Sequence, residues 1–362
     1  MIIHVVIGTK AQWIKMAPVL VELARRGLPF RVIDTGQHGE ITAQIRRAFS
    51  LPEPQLVLHS GVSAKTVGGG LRWLRLLAAR LTPGRKALLE QLFGGESGPV
   101  LVHGDNLTTL WGAIAARRAG LPLAIVEAGL RSWHPLHPFP EEIIRMALPH
   151  LAYLLFAPSE KAVANLKRMK VKGKIIFTRG NTIADALRFF LKNQSPQPED
   201  FGLWNFHRLE TLLSRRRLKR LCQLLLSARK YGPVKFIVDL PTRPRLEQAG
   251  WLERFEKAGI ELLPVLPYPD FVRLLARARY VATDGGSIQE ECALLGVPCL
   301  ILRHRTERLD GLGRNAVLVS KAPLAEFIKV IDIFRSLPLW PEKSPSGCIC
   351  DQLAAARLIN PS

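Results

Sequence analysis

The sequence predicts an α/β chain built from two doubly wound, Rossmann-like domains that face a central cleft. Three observations lead there. In the first half, short apolar runs alternate with amphipathic stretches, the pattern of parallel strands joined by helices. A polar stretch carrying two prolines, NQSPQPED at 193–200, interrupts that alternation. The alternation then resumes. Together these set an N-terminal domain at 1–192, a linker at 193–200, a second domain at 201–343 and a helix at 344–362 that packs back across the domains.

Taken in order, strands are expected at 2–7, 30–33, 100–102, 123–126, 154–156 and 175–177 in the first domain. In the second they fall at 234–238, 260–265, 280–282, 299–302 and 316–319. Each is an apolar run of strand length, as expected for sheets buried on both faces. Open α/β sheets bind ligands beyond the carboxyl ends of their strands, so two facing sheets suit a nucleotide with a group attached.

Composition narrows the class. At 362 residues the chain can hold two domains, and a 48% hydrophobic fraction excludes disorder as its main state. No run reaches the roughly 20 apolar residues of a membrane span. The N-terminus IIHVVIG reads as a strand entering a glycine turn rather than as a secretory signal. Five scattered cysteines suit a reducing cytoplasm, and Cys348-x-Cys350 without partner ligands carries no expected metal site.

The net charge of +21 points to an anionic partner or substrate. Nucleic acid is disfavoured, because the basic runs lack interleaved aromatics and no nucleic-acid-binding motif occurs. Residues 71–86 combine Arg72, Arg75, Arg80, Arg85 and Lys86 with Leu74, Leu77, Ala78 and Leu81 at helical spacing, and Trp73 and Leu76 widen the apolar surface. That segment reads either as a packed helix with solvated arginines or as a contact with an anionic membrane surface. A second cluster, Arg215 to Arg220 before Leu221, Cys222 and Leu225, reads as the polar face of a packed helix.

Candidate chemistry concentrates between Leu101 and Arg145. Asp105 and Glu127 should lie just beyond two strand ends, and Glu141 and Glu142 follow a proline into the first turn of a helix. Carboxylates gathered in a crevice raise one another's pKa, and a raised carboxyl can move a proton near neutrality. An anion site is expected where Gly8-Thr9-Lys10 ends the first strand and Lys15 follows one turn on. A second is expected at Thr283-Asp284-Gly285-Gly286-Ser287, a strand end opening into a helix whose free N–H groups can cradle a diphosphate. Glu291 would lie within reach of a ribose, and Arg308 would balance the phosphates.

The segments GTKAQWIKMAP, DTGQH, VHGDN, VEAGLRS, FPEEIIR, GNTIADAL, TDGGSIQEE, LGVPCLILR and TERLD occur in this order over nearly the whole chain. Their joint pattern resembles the non-hydrolysing UDP-N-acetylglucosamine 2-epimerases. The resemblance implies a glycosyltransferase-B-type fold, a UDP-sugar substrate and no cofactor. It implies inversion at the sugar carbon bearing the acetamido group, by elimination of UDP and its re-addition. It also implies catalytic roles for Asp105, Glu127, Glu141 and His207, with Arg145 beside them. Lys15, Phe271, Gly285, Gly286, Ser287, Glu291 and Arg308 resemble residues that hold uridine, ribose and diphosphate. Homodimers are common in the family, and closure of the domains about the linker is expected.

Departures accompany the matches. Lys10 stands where the family has arginine, Gln12 where it has glutamate, Phe206 where it has glycine and Leu209 where it has a second arginine. Gly285-Gly286-Ser287 replaces Ser-Gly-Gly, and Pro241-Thr242-Arg243-Pro244 stands for His-x-Asn-Pro. Three readings stay open: a cytoplasmic epimerase, a transferase using the same fold on a lipid-linked acceptor at the inner face of a membrane, and an inactive nucleotide-sugar-binding paralogue.

Overall fold

The computed structural model describes residues 1–37, 39–59, 67–134, 140–192, 197–304, 306 and 308–359. His38, Phe139 and Glu307 of the motifs above, and residues 193–196 of the expected linker, lie outside them. The chain divides into two compact units, Met1–Ala186 with Pro341–Ser362, and Leu187–Trp340.

The first unit holds a seven-stranded, all-parallel sheet. Its strands are β1 (Ile3–Ile7), β2 (Phe30–Asp34), β3 (Leu56–Val57), β4 (Val100–His103), β5 (Leu123–Val126), β6 (Leu154–Ala157) and β7 (Lys174–Phe177), in the order β3-β2-β1-β4-β5-β6-β7. The second unit has six parallel strands, β8 (Gly202–Asn205), β9 (Val234–Ile237), β10 (Glu261–Leu263), β11 (Tyr280–Thr283), β12 (Cys299–Ile301) and β13 (Ala316–Leu318), ordered β10-β9-β8-β11-β12-β13. Both sheets are doubly wound. Strand order reverses between β1 and β4 in one and between β8 and β11 in the other, so each sheet has one switch point where a ligand crevice is expected.

Each unit has its own apolar core. In the first, Val6, Ile33, Trp73, Leu88, Phe93, Val102 and Trp111 pack together; in the second, Trp204, Phe206, Phe236, Phe255 and Phe327 do so. Trp73 is only 2% exposed and donates its indole N–H to the Thr35 carbonyl at 3.1 Å. Of the two readings of residues 71–86, the place of Trp73 in the core fits the packed helix. That segment is also broken: helices run Val67–Ala79 and Arg85–Phe93, and Pro83-Gly84 falls in the gap. Arg72, Arg75, Arg80, Arg85 and Lys86 are exposed. The 215–220 cluster behaves as expected: its arginines face solvent on the Arg215–Ala228 helix, which buries Leu218, Leu221, Cys222 and Leu225.

The division between units falls inside the Ile183–Leu191 helix, ahead of the polar stretch read as a linker. Composition marks irregular chain, whereas contacts decide membership. Residues at the end of that stretch already belong to the second unit, where Glu199 N–H donates to the Arg277 carbonyl at 2.7 Å and Asp200 pairs with Arg279 at 2.9 Å. The C-terminal Pro345–Ile359 helix belongs to the first unit. It packs on the Lys10–Arg25 helix, with Arg26 paired to Asp351 and Ser346 N–H donating to Asp185 at 2.8 Å. Among the described residues no helix is long and apolar enough to cross a membrane.

Candidate active site

At the switch point of the first sheet, β1 ends in a turn that opens the Lys10–Arg25 helix. Thr9 and Gln12 form a capping box, with Thr9 Oγ1 accepting from Gln12 N–H at 3.2 Å. Gln12 does more than cap. Its Oε1 accepts from the Gly8 and Thr9 N–H groups at 3.0 and 3.1 Å, while its Nε2 donates to the His103 carbonyl at 2.9 Å, Asn106 Oδ1 at 3.2 Å and Thr109 Oγ1 at 3.1 Å. The amide thus ties the β1 turn to the end of β4. Lys10 is the first residue of the helix and is half-buried. Lys15, one turn on, is buried and donates through Nζ to both carboxylate oxygens of Glu127 at 2.9 Å.

Glu127 follows β5 with φ +60°, a left-handed conformation uncommon outside glycine and asparagine. Such a backbone costs of order 1–3 kcal/mol and persists where surrounding contacts fix it. Here the Lys15 ammonium does so, and His103 Nε2 lies 3.0 Å from Glu127 Oε2. Asp105, just past β4, pairs with Arg145 Nε at 2.5 Å. Arg145 and Glu141 are four apart on the Glu141–Ala147 helix, hence on one face of it, and Arg145 directs that face toward Asp105. Among the described residues, nothing hydrogen-bonds Glu141 Oε2, which is buried.

Glu142 departs from expectation. It is fully buried and accepts from Arg131 Nε at 2.7 Å, from the Ser132 and Trp133 N–H groups at 3.1 Å, and from Arg145 Nη1 at 3.4 Å. Burial alone would raise its pKa, but the Arg131 guanidinium and these N–H donors hold it below the usual carboxylate range. It clamps the 131–133 segment, where Trp133 has φ +59° and lies 4.1 Å from the Arg131 guanidinium. Glu142 is therefore a structural acid. Three of the four acids legible in the sequence are answered by cations: Lys15 for Glu127, Arg145 for Asp105, and Arg131 with Arg145 for Glu142.

In the second unit, β8 and β11 flank the switch point. Asp284, buried beyond β11, accepts from His207 N–H at 2.9 Å, Arg208 N–H at 3.2 Å and Thr211 Oγ1 at 2.9 Å, which fixes the loop carrying His207. The imidazole Nδ1 lies 2.7 Å from Asn205 Oδ1. Gly285 caps the ten-residue Gly286–Leu295 helix. A Cβ on Gly285 would come within 2.9 Å of His207 Cε1, and one on Gly286 within 3.0 Å of Arg308 Cδ. The two glycines therefore admit His207 on one side of the turn and Arg308 on the other. Free N–H groups at the helix start, with exposed Ser287 in its first turn, complete an anion cradle.

The neighbouring acids divide their work. Glu290 pairs with Arg308 Nη1 at 2.8 Å and orients it, while Glu291 is buried and accepts from the Tyr268 hydroxyl at 2.9 Å. Burial, and then the Glu291 charge, push the Tyr268 phenol well above its ordinary pKa, so it remains a donor. Phe271 is half-buried beside Tyr268, with ring centroids 6.3 Å apart and planes at 28°, an apolar wall of the kind a pyrimidine needs.

Sequence reasoning placed Asp105 and Glu127 just past strand ends, Glu141 in the first turn of a helix and Gly285-Gly286 where a strand opens into a helix, and they stand there; His207 and Arg145 entered through the resemblance. The sequence reading missed Gln12 as a two-ended tie, His103 beside Glu127, Asp284 as the anchor of the His207 loop, and Asn205 and Asp239 behind the imidazole. The missed groups act through partners remote in sequence, and only Gln12 carried a local signal, the capping box.

A family model for UDP-N-acetylglucosamine 2-epimerase matches residues 22–336. The UDP-N-acetylglucosamine 2-epimerase of Methanocaldococcus jannaschii is 28% identical over 350 residues, 91% of this chain and 91% of that protein. A probable UDP-N-acetylglucosamine 2-epimerase of Ralstonia solanacearum is 33% identical over 335 residues, 86% of this chain and 85% of that one. Among solved structures, the M. jannaschii UDP-GlcNAc 2-epimerase in complex with UDP-GlcNAc and UDP matches with a TM-score of 0.81 at 27% identity, over 98% of this chain and 100% of the other. The Neisseria meningitidis UDP-GlcNAc 2-epimerase bound to UDP-GlcNAc matches at 0.80 and 26%, over 99% and 100%. Family model, relatives and fold agree: the chain belongs to the UDP-N-acetylglucosamine 2-epimerase family.

Proposed function

We propose that this protein interconverts UDP-N-acetylglucosamine and its manno epimer by eliminating and re-adding UDP. In the forward step a base takes the proton from C2, the C1–O bond breaks, and its electron pair leaves with the diphosphate. In the return step a proton reaches C2 from the opposite face while a diphosphate oxygen reforms the bond to C1. Atoms and electrons balance without an oxidant, a metal or a cofactor. The chemistry needs an acid or base on each face and cationic stabilisation of the leaving diphosphate.

Asp105, Glu127 and Glu141 are assigned to proton transfer, with Lys15 and Arg145 holding the first two carboxylates in place. His207, Arg308 and the N–H groups of Gly286 and Ser287 are assigned to the diphosphate, Glu291 to the ribose and Phe271 to the base. Lys10 is assigned a weaker phosphate contact, because an ammonium lacks the fork of the arginine it replaces. The observation that carries the reading is Glu141, whose Oε2 is buried, with no hydrogen-bond partner among the described residues, on the helix face that also carries Arg145. An acceptor kept from water and left unmet by those residues is suited to a substrate hydrogen.

The transferase reading rested on residues 71–86 as a basic amphipathic segment, and the burial of Trp73 takes the aromatic out of that surface. Any contact with an anionic membrane falls to Arg72, Arg75 and their exposed basic neighbours, and it should vanish as salt rises. Pairing of two copies and a cytoplasmic location accompany the epimerase reading as proposals; sedimentation and fractionation test them. The test of the activity is proton NMR of UDP-N-acetylglucosamine with the protein in deuterated water. Deuterium at C2 with growth of the manno anomeric signal is expected; UDP binding without exchange would refute the reading.

A further inference from the structure

One side-chain amide determines which nitrogen of His207 can react. Asn205 Nδ2 donates to the Ile237 carbonyl at 3.2 Å and to Asp239 Oδ2 at 2.5 Å. Turning the amide over would set its oxygen against these two acceptors, so Oδ1 is the atom that faces the imidazole. Oδ1 lies 2.7 Å from His207 Nδ1 and can only accept. Nδ1 must therefore carry a hydrogen. In the neutral ring this leaves Nε2 as the base, on the edge beside Gly285, 3.6 Å from where a Cβ there would stand. The acids around the ring are Asp239 and Asp284, whose oxygens lie 3.5 and 3.9 Å from Nδ1. Asp284 is already committed to three donors in the loop. Asp239 thus fixes the amide, and the amide fixes the tautomer.

We propose that Asn205 and Asp239 are positioning residues for His207, keeping the hydrogen on Nδ1 so that Nε2 is the nitrogen turned to the phosphate turn: it gives its proton to the leaving diphosphate oxygen as the C1–O bond breaks, and takes that proton back when the same oxygen re-forms the bond to C1. The role of Nε2 rests on the proposed epimerisation; the tautomer does not.

The test is two-bond proton–nitrogen correlation NMR of the full chain labelled with 15N-histidine, with the His207 signals assigned by their loss in His207→Gln. At a pH where the ring is neutral, a protonated Nδ1 and a bare Nε2 are expected. Asn205→Leu removes the acceptor and should let the Nε2–H form appear. The rate constant kcat for deuterium exchange at C2 should fall by about tenfold or more in Asn205→Leu with KM changed less than about threefold, as for a mis-set general acid. Should Asn205→Leu fail to fold, the tautomer of the unmodified chain still decides. A bare Nδ1 in the unmodified chain, or an unchanged tautomer in folded Asn205→Leu, overturns the proposal. If the tautomer responds as stated but His207→Gln exchanges deuterium at the full rate, the catalytic half of the proposal falls while the amide lock stands.

Discussion

Replacing Gly285 with alanine isolates the placement of His207 from its chemistry. The backbone at Gly285, φ −84° and ψ 124°, suits alanine, so no torsional strain enters. The new methyl would stand 2.9 Å from His207 Cε1 and 3.3 Å from Thr283 Oγ1. Carbon atoms rest about 3.5–4.0 Å apart, so the ring must move by roughly 0.6 Å or more. Its alternatives are limited, because Nδ1 is held by Asn205 and the backbone N–H by Asp284. A displacement of that size at a reacting group costs on the order of tenfold to a hundredfold in rate, about 1.4–2.7 kcal/mol of barrier. The assay is the initial rate of deuterium incorporation at C2, with UDP affinity and thermal midpoint measured alongside. Gly84→Ala is the control, since nothing lies within 4 Å of its would-be Cβ. A Gly285→Ala rate within twofold of the unmodified protein would refute the reasoning. A fall in thermal midpoint matching that of a core lesion would show that the backbone moved instead.

Glu141→Gln should lower turnover by about a hundredfold while leaving the thermal midpoint nearly unchanged, whereas Glu142→Gln should chiefly lower the midpoint, because it strips acceptors from Arg131 and two backbone N–H groups; equal midpoints would sink this division of roles. Lys15→Met should destabilise the fold by roughly 3–5 kcal/mol in urea unfolding, because it leaves a buried carboxylate without its ammonium, and adding Glu127→Gln should recover most of that loss; additivity of the two changes would contradict a coupled pair. Asp34 is pushed up to about 6 by burial, against which the Gly36 and Trp13 N–H groups act. A raised carboxyl folds more readily protonated, so ionised Asp34 costs about 3 kcal/mol above pH 6, and that cost disappears as pH falls from about 6 to about 4. The unmodified chain should therefore gain stability relative to Asp34→Asn between pH 7 and pH 4.5; parallel stability curves would show that Asp34 is not the titrating group.

The parts of the fold legible in the sequence are those that local pattern controls. Apolar runs between glycine turns located eleven of the thirteen strands, and the acids were visible because they follow such runs. β3 is two residues long, below any pattern. β8 was missed although it is central, since it opens with a glycine, ends in an asparagine and follows a polar stretch. Its glycine answers a tertiary demand: a Cβ at Gly202 would stand 2.3 Å from the Tyr280 ring on β11. Trp73 was left between two readings for a related reason. Helical spacing reveals an apolar face but not whether that face meets lipid or the rest of the core. The cations beside the acids were equally hidden, because Lys15 and Glu127 are 112 residues apart and become neighbours only when β1 and β5 take their places in the sheet.

The departures from the family pattern follow a physical rule once the strands are placed. Side chains alternate across a strand, and the alternation continues past β8: Trp204 and Phe206 enter the core of the second unit, while Asn205 and His207 meet at the switch point. Phe206 is therefore not a lesion beside the histidine. It stacks on Phe236 at 4.7 Å, and the residue that governs the imidazole is Asn205, one step further back on the opposite face. Gln12 obeys the same logic in the first unit. A carboxylate could accept from the Gly8 and Thr9 N–H groups but would face the His103 carbonyl with no hydrogen to give; the amide satisfies both ends. The two substitutions that look most damaging in the sequence thus change how each unit braces its own residues, Gln12 the β1 turn beside β4 and Phe206 the core behind Asn205 and His207. Activity loss should accordingly track changes to the braces through the geometry of the residues they hold, which is what the Gly285→Ala and Asn205→Leu measurements read.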